Sequence, residues 1–140
     1  MEQDSILAQK MQEKGIRPSF QRIVIYKYLA ENKNHPTVDA VYSALSPLHP
    51  TLSRTTVYNT LHLFAQNKLV QQVNIEDDQA RYDVETEPHM HFKCTKCGKI
   101  IDICNEKVTD FYRDCNAVLP EHFSMERSEI NVWGVCASCS

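Results

Sequence analysis

The chain has no apolar run approaching the ~20 residues that a membrane-spanning helix requires. Its first residues, Met1-Glu2-Gln3-Asp4-Ser5, are acidic, and no apolar segment follows them as one would in a secretory signal. Membrane and secreted classes are therefore set aside, and a cytoplasmic protein with reduced thiols is expected. There is no surplus of positive charge either: 15 Lys and Arg stand against 18 Asp and Glu, a net charge of −3. That argues mildly against a nucleic-acid partner. No internal repeat or low-complexity tract is present, which leaves out solenoids and disordered arrays. The 140 residues suit one compact domain or two small ones.

The charge is unevenly distributed. Residues 1–80 carry eight basic and eight acidic side chains, whereas 81–140 carry seven and ten. Any contact with nucleic acid is expected from the neutral N-terminal part, through locally placed Arg and Lys.

The six cysteines include two pairs, Cys94-x-x-Cys97 and Cys136-x-x-Cys139. Each pair turns the backbone so that two thiolates converge, and two such pairs make a tetrahedral sulfur site that suits structural Zn2+. Redox cysteines or disulfides are the bland alternative, and the paired spacing in a reducing compartment favours zinc. Cys104 and Cys115 lack such spacing and are read as core or incidental residues.

Periodicity organises the rest. A short helix is expected over 4–14, with Asp4 as cap, Gly15 as stop, and Ile6, Leu7 and Met11 as its apolar face. A stronger helix runs from Phe20 to Glu31, its stripe formed by Phe20, Ile23, Val24, Tyr28 and Leu29. Thr37 and Ser53 are good N-caps for helices reaching Ser46 and Asn67. In the last of these, Val57, Leu61, Phe64 and Ala65 share one face. The opposite face, Thr55, Asn59, His62 and Gln66 with Tyr58 at its edge, is polar and nearly uncharged, a surface suited to base edges in a major groove. The period then changes to two, giving strands Val70–Ile75 and Ala80–Val84 around an acidic turn. Helices followed by a hairpin are the order of a winged helix, in which the third core helix reads DNA. A helical domain that binds nothing is the bland alternative. Thr86-Glu87-Pro88 reads as a hinge. Beyond it, strands are expected at Met90–Lys93 and Lys99–Ile103, a helix over Asn105–Val118 with Val108, Phe111, Tyr112 and Cys115 inward, and one long strand over Phe123–Val135. The expected domains are 1–84, a hinge at 85–88, and 89–140. The last is too small to have a good core alone and needs a staple and a partner.

A second ligand cluster is weaker by spacing. His89 and His91 are two apart, so on a strand both rings face one way. Asp102 follows the cysteine knuckle, Asp83 ends the hairpin, and His35 lies in a loop of the helical domain. Three imidazoles and two carboxylates favour Fe2+ or Mn2+. His49, His62 and His122 are read as solvated. A metalloenzyme built on the same five residues is a rival, but no substrate-positioning motif accompanies them. A zinc-stapled module without DNA leaves the uncharged outer face of residues 55–66 unexplained.

Several runs carry a resemblance: H-P-T-V-D-A-V-Y from His35, S-R-T-T-V-Y-N-T-L from Ser53, R-Y-D from Arg81, H-M-H-F-K-C-T-K-C-G-K-I-I-D from His89, and C-A-S-C from Cys136. Together they make the chain similar to the ferric uptake regulator (Fur) family of bacterial metal-dependent repressors, nearest its peroxide-sensing (PerR) branch. The resemblance implies an α+β fold: an N-terminal winged-helix DNA-binding domain and a small C-terminal α/β dimerisation domain with a structural zinc. It implies a homodimer on double-stranded DNA at a palindromic operator, and no enzymatic turnover. It assigns Zn2+ to Cys94, Cys97, Cys136 and Cys139, and a regulatory Fe2+ or Mn2+ to His35, Asp83, His89, His91 and Asp102. The branch rests on aspartate at 83 and 102, where the iron-sensing branch tends to carry glutamate. In the peroxide branch a ligand histidine is oxidised and the repressor leaves its operator; His35 and His89 are the candidates. An iron- or other metal-responsive repressor of metal-uptake genes is the alternative. In the reading helix, Tyr58 and Asn59 are expected at bases or thymine methyls and Arg54, Thr55 and Thr56 at phosphates or neighbouring bases, with Arg17 and Arg22 as weaker phosphate candidates.

Overall fold

The computed structural model describes residues 2–140, which divide into a unit ending at Thr86 and a second unit, Glu87–Ser140. The first unit is built from four helices and a hairpin. Helix α1 (Glu2–Glu13) starts two residues earlier than expected. Asp4 therefore lies in the first turn beside Glu2, where negative charge meets the positive end of the helix dipole, and is not the cap. The stop is as expected: Gly15 takes φ 74°, and Ile16 N–H donates to the Met11 carbonyl at 2.9 Å. Ser19 caps α2 (Phe20–Glu31), Thr37 caps α3 (Val38–Leu45) and Ser53 caps α4 (Arg54–Gln66). In each, the hydroxyl accepts the N–H of the residue three positions on, satisfying a donor that the helix leaves open.

The core gathers Leu7 and Met11 of α1, Ile25, Tyr26 and Leu29 of α2, Val41 and Leu45 of α3, and Val57, Leu61 and Phe64 of α4. Two expected core residues lie outside it. Ile6 is half exposed, and Phe20 is 73% exposed, edge-on to His49. Residues 23–26 of α2 are all apolar, so the period alone could not say which arc turns inward; the arc that does is centred on Ile25 and Leu29.

Strands β1 (Gln71–Val73) and β2 (Arg81–Asp83) pair antiparallel with Gln71 opposite Asp83 and Val73 opposite Arg81. The ladder is shorter than expected at both ends. Val70 and Ile75 are buried by their side chains without joining it.

The second unit is a three-stranded sheet with one helix. Its strands β3 (Met90–Cys94), β4 (Ile100–Ile103) and β5 (Ile130–Gly134) lie in the order β4-β3-β5. β3 runs antiparallel to β4 and parallel to β5. Between them lies α5 (Glu106–Ala117), capped by Asn105, whose side-chain oxygen accepts Lys107 N–H at 2.8 Å. The expected strand from Phe123 to Val135 is corrected: only 130–134 pairs. Strand length is set by the partner, and all five residues of β3 already face 130–134. Pro120 and the positive φ of His122 (69°) shape the segment before it. The expected inward face of α5 is also reduced. Val108 is buried, but Phe111 is 55% exposed. In the single chain, Cys94 and Val108 are the buried apolar residues of this unit among those described, while Ile101, Phe111, Val118, Phe123, Trp133 and Val135 are exposed. No described helix is long and apolar enough to cross a membrane.

Candidate metal centres and nucleic-acid face

The cysteine pairs converge. The Sγ atoms of Cys94, Cys97, Cys136 and Cys139 all lie within 4.8 Å of one another. Backbone geometry explains how. After Cys97 the chain reverses through Gly98, whose φ of 78° suits a residue without Cβ. Gly98 N–H donates to the Cys94 carbonyl and Cys94 N–H to the Lys99 carbonyl, both at 2.9 Å. Thr95 N–H donates to the Gly134 carbonyl at 2.8 Å, bringing the end of β5 to the knuckle. Cys136 then opens a 3-10 turn, Ala137–Cys139, that returns Cys139 to the group.

The donor set fits a tetrahedral Zn2+. Metal–sulfur bonds of ~2.3 Å at tetrahedral angles put sulfurs ~3.8 Å apart, and Cys97 and Cys136 Sγ are 3.8 Å apart. The electrostatics fit as well. Cys94 is buried and receives backbone N–H groups, foremost Cys136 at 3.4 Å and then Cys97 at 3.5 Å, which lower its thiol to about 6. Hydrogen bonds shared with Cys136 and then Cys97 push Cys139 up to about 12. A cluster with one ready thiolate and one resisting ionisation is what a thiophilic dication resolves, since it replaces the shared protons. Cys104 and Cys115 lie outside the group; the first is exposed and the second half-buried, so neither is a core residue.

The five residues of the second cluster are divided between the units. In the first unit, His35 and Asp83 are both buried, and His35 Nε2 lies 3.4 Å from the Asp83 carboxylate. In the second, His89 and His91 are buried in β3 and its approach, with Nε2 atoms 3.0 Å apart and rings meeting edge to face. Asp102, opposite His91 in the β3–β4 ladder, lies 3.2 Å from His91 and 3.6 Å from His89. His89 Nδ1 sits 2.6 Å from the Glu87 carbonyl. A carbonyl can only accept, so Nδ1 carries the proton and Nε2 presents its lone pair. Two imidazole nitrogens bound ~2.1 Å from an ion at right angles lie ~3.0 Å apart, the separation found here. Tyr112, kept protonated by burial, donates to the His89 carbonyl and accepts Ile130 N–H, each at 3.0 Å, pinning α5 across β3 and β5. His49, His62 and His122 belong to no such group among the described residues.

The outer face of α4 is as the sequence drew it. Thr55, Tyr58, Asn59, His62 and Gln66 are exposed, and Tyr58 stacks flat against His62. Arg54 is engaged from within: it donates to Asp39 at 2.7 Å and lies 5.2 Å over the Tyr42 ring. The Thr56 hydroxyl is bonded to Ser53 Oγ at 2.8 Å, inside the cap. A cleft of about 620 Å³ runs between the start of α2 and α4, lined by Arg17, Ser19, Arg22, Thr56 and Asn59 among others. Sequence reasoning missed the roles of Arg81, Glu76 and Tyr112. Arg81 donates to Glu76 and, at 3.0 Å, to the His35 carbonyl. An arginine directly before the strand's buried Tyr82 and Asp83 was the available signal.

The chain is similar to known proteins over most of its length. A family model described as "Ferric uptake regulator family" matches residues 13–131. A peroxide-responsive repressor, PerR, of Staphylococcus aureus is 34% identical over 132 residues, covering 92% of this chain and 86% of the relative. Among solved structures, the ferric uptake regulator of Pseudomonas aeruginosa with manganese superposes with a TM-score of 0.72 at 19% identity, covering 92% and 96% of the two chains. PerR from Streptococcus pyogenes, described with a structural basis for peroxide sensing and gene regulation, gives 0.53 at 28% identity, covering 98% and 92%.

Proposed function

The chain belongs to the ferric uptake regulator family of metal-responsive transcriptional regulators, and from that premise we propose that it is a peroxide-sensing repressor. It works in the cytoplasm as a homodimer on double-stranded DNA at a palindromic operator. The winged-helix domain spans 1–84, a hinge 85–88, and the dimerisation domain 89–140. The exposed Phe111, Trp133 and Val135 are the kind of apolar surface that a partner subunit covers. Structural Zn2+ is held by Cys94, Cys97, Cys136 and Cys139. Regulatory Fe2+ or Mn2+ is held by His35, Asp83, His89, His91 and Asp102. Tyr58 and Asn59 contact bases, and Arg54, Thr55 and Thr56 contact phosphates or neighbouring bases, with the Asp39 pairing fixing the Arg54 guanidinium in place.

The observation that carries the reading is the paired Nε2 atoms of His89 and His91, 3.0 Å apart with the Asp102 carboxylate beside both. Such an arrangement of two buried imidazoles and a more exposed carboxylate, without thiolate, favours Fe2+ or Mn2+. The metal acts through its preference for the DNA-ready arrangement, and DNA tightens metal binding reciprocally. Fe2+ held by these residues would supply reactivity towards hydrogen peroxide; His35 or His89 would gain one oxygen atom at its imidazole, with water as the other product, and would no longer serve as a ligand. The aspartates at 83 and 102 and the identity to a peroxide-responsive repressor support this branch over a plain metal-uptake repressor.

The test is operator binding without oxygen by protein loaded with Fe2+ or with Mn2+, before and after micromolar peroxide, with mass spectrometry of the peptides carrying His35 and His89. The reading expects only the Fe2+ form to lose DNA and one histidine to gain one oxygen. If both forms keep their DNA with unmodified histidines, the chain is a metal-responsive repressor without peroxide sensing. Release of DNA with no change in either histidine would assign the sensing chemistry elsewhere.

A further inference from the structure

Strand β2 does more than supply Asp83. Arg81 lies two residues earlier and so projects to the same side of the strand. Its guanidinium reaches two places at once: Nε pairs with the Glu76 carboxylate in the hairpin loop, and Nη1 donates to the His35 carbonyl at 3.0 Å. Tyr82 N–H adds a bond to the Pro36 carbonyl at 3.0 Å, and Thr37 forms an isolated bridge with Arg81. The loop carrying His35 is thus laced along the strand carrying Asp83. His35 itself has φ 55°, a left-handed conformation that few residues with a Cβ adopt. Arg81 is 23% exposed and Glu76 13%, so the pair is sheltered in a way that most surface pairs are not.

We propose that Arg81 is a positioning residue that transmits the state of His35 to the hairpin of the same domain, from the ligand loop through its carbonyl to the guanidinium and on to Glu76. This rests on the reading of His35 as a ligand of the regulatory ion. With its imidazole held, the loop keeps its left-handed turn and aims the His35 carbonyl at Arg81. Arg81 and Glu76 then fix the hairpin loop, residues 74–80. When His35 is released or oxidised, the turn relaxes towards ordinary backbone angles, the carbonyl swings away, and the guanidinium loses one of its two acceptors. The hairpin loosens in consequence. By reciprocity, DNA that holds the hairpin favours the ligand-ready His35. This route lies within one domain and needs no change in the angle between domains.

The test compares wild type with Arg81→Gln, Arg81→Lys and Glu76→Gln. Three quantities are read: operator affinity with and without Mn2+, Mn2+ affinity from free-ion resonance, and amide exchange of residues 74–81 with and without Mn2+. In wild type, Mn2+ is expected to slow exchange in the hairpin. In Arg81→Gln and Glu76→Gln that protection is lost, and the stimulation of DNA binding by Mn2+ falls roughly 5-fold, with zinc content and dimer state unchanged. Arg81→Lys keeps the charge but has no planar fork to serve both acceptors, and falls between. Because Glu76→Gln leaves Arg81 in place, it carries the test if Arg81→Gln does not fold. Variants whose stimulation and hairpin exchange match wild type overturn the proposal while leaving the metal-dependent repressor intact. A wild type whose DNA binding ignores Mn2+ overturns both.

Discussion

Replacing Cys97 by serine isolates the contribution of zinc to the second unit. Cys97 is exposed, so the substitution opens no cavity and disturbs no packing; what it removes is one of four thiolates. The unit has little else to hold it. Val108 is its one fully apolar side chain below a tenth exposed, and its burial contributes about 1.5–3 kcal/mol. A structural zinc site is linked to roughly 10–16 kcal/mol of folding free energy. Loss of even half of that exceeds what Val108 supplies several times over. Helices α1–α4 surround a separate core and should survive. The expected result for Cys97→Ser is a protein without stoichiometric zinc, with far-ultraviolet dichroism still showing the helices of the first unit, and monomeric by light scattering. The single tryptophan, Trp133 on β5, reports directly on the second unit, and its emission should shift to that of an unfolded chain. A zinc-free Cys97→Ser protein with native Trp133 emission and an unchanged denaturation midpoint would refute the reasoning. The sheet would then be held by contacts that the single chain does not display.

Three further outcomes are expected. Asp102→Ala leaves His89 and His91 without the carboxylate 3.2–3.6 Å away and should weaken Mn2+ binding by at least roughly 10-fold, read by titration, with zinc retained; unchanged affinity would remove Asp102 from the ligand set. Ser53→Ala removes the acceptor of Thr56 N–H and should cost about 1 kcal/mol in chemical denaturation, with Ser53→Asp restoring most of it. Because the Cys94 thiol is lowered to about 6, it is already ionised at neutral pH, so zinc uptake should release one proton fewer than four ordinary thiols would, measured by calorimetry in buffers of different ionisation enthalpy. The sign follows from that depression. In the ion-free protein the stabilisation from Cys94 is fully present above the ordinary thiol range and is lost as pH falls through about 6, so release of four protons on zinc uptake at neutral pH would contradict it.

Local chemistry explains which features were legible in the sequence. Thr37 and Ser53 announced their helices because a hydroxyl at that position satisfies a helix's open donors, a requirement that no tertiary contact changes. The cysteine pairs were equally plain, since a two-residue spacing brings two thiols together through the local backbone turn alone. The partnership of His91 with Asp102 followed from a hairpin that places them opposite each other. What failed depended on neighbours. Phe123–Val135 alternates like a strand, but β3 has pairing positions for only 130–134. Phe20 fits the helical period, but the apolar run at 23–26 turned another arc of α2 inward. Phe111 has a core residue's spacing, yet in one chain it faces outward. Arg81 was marked only by its place before the buried Tyr82 and Asp83; its acceptor, a backbone carbonyl 46 residues away, leaves no side-chain pattern.

The parallel pairing of β3 with β5 also has a kinetic consequence. An antiparallel neighbour such as β4 is reached through a short turn, but β5 can dock only after residues 95–129, with α5 among them, have been gathered in. Closing that long loop comes late, as pairings distant in sequence do. Until it happens, the Gly134 carbonyl is not at Thr95, and the Cys136 N–H that lowers Cys94 is absent. A fresh chain therefore completes its helical half early and its ion-holding half last. The interval between synthesis and a complete second unit is set by that topology.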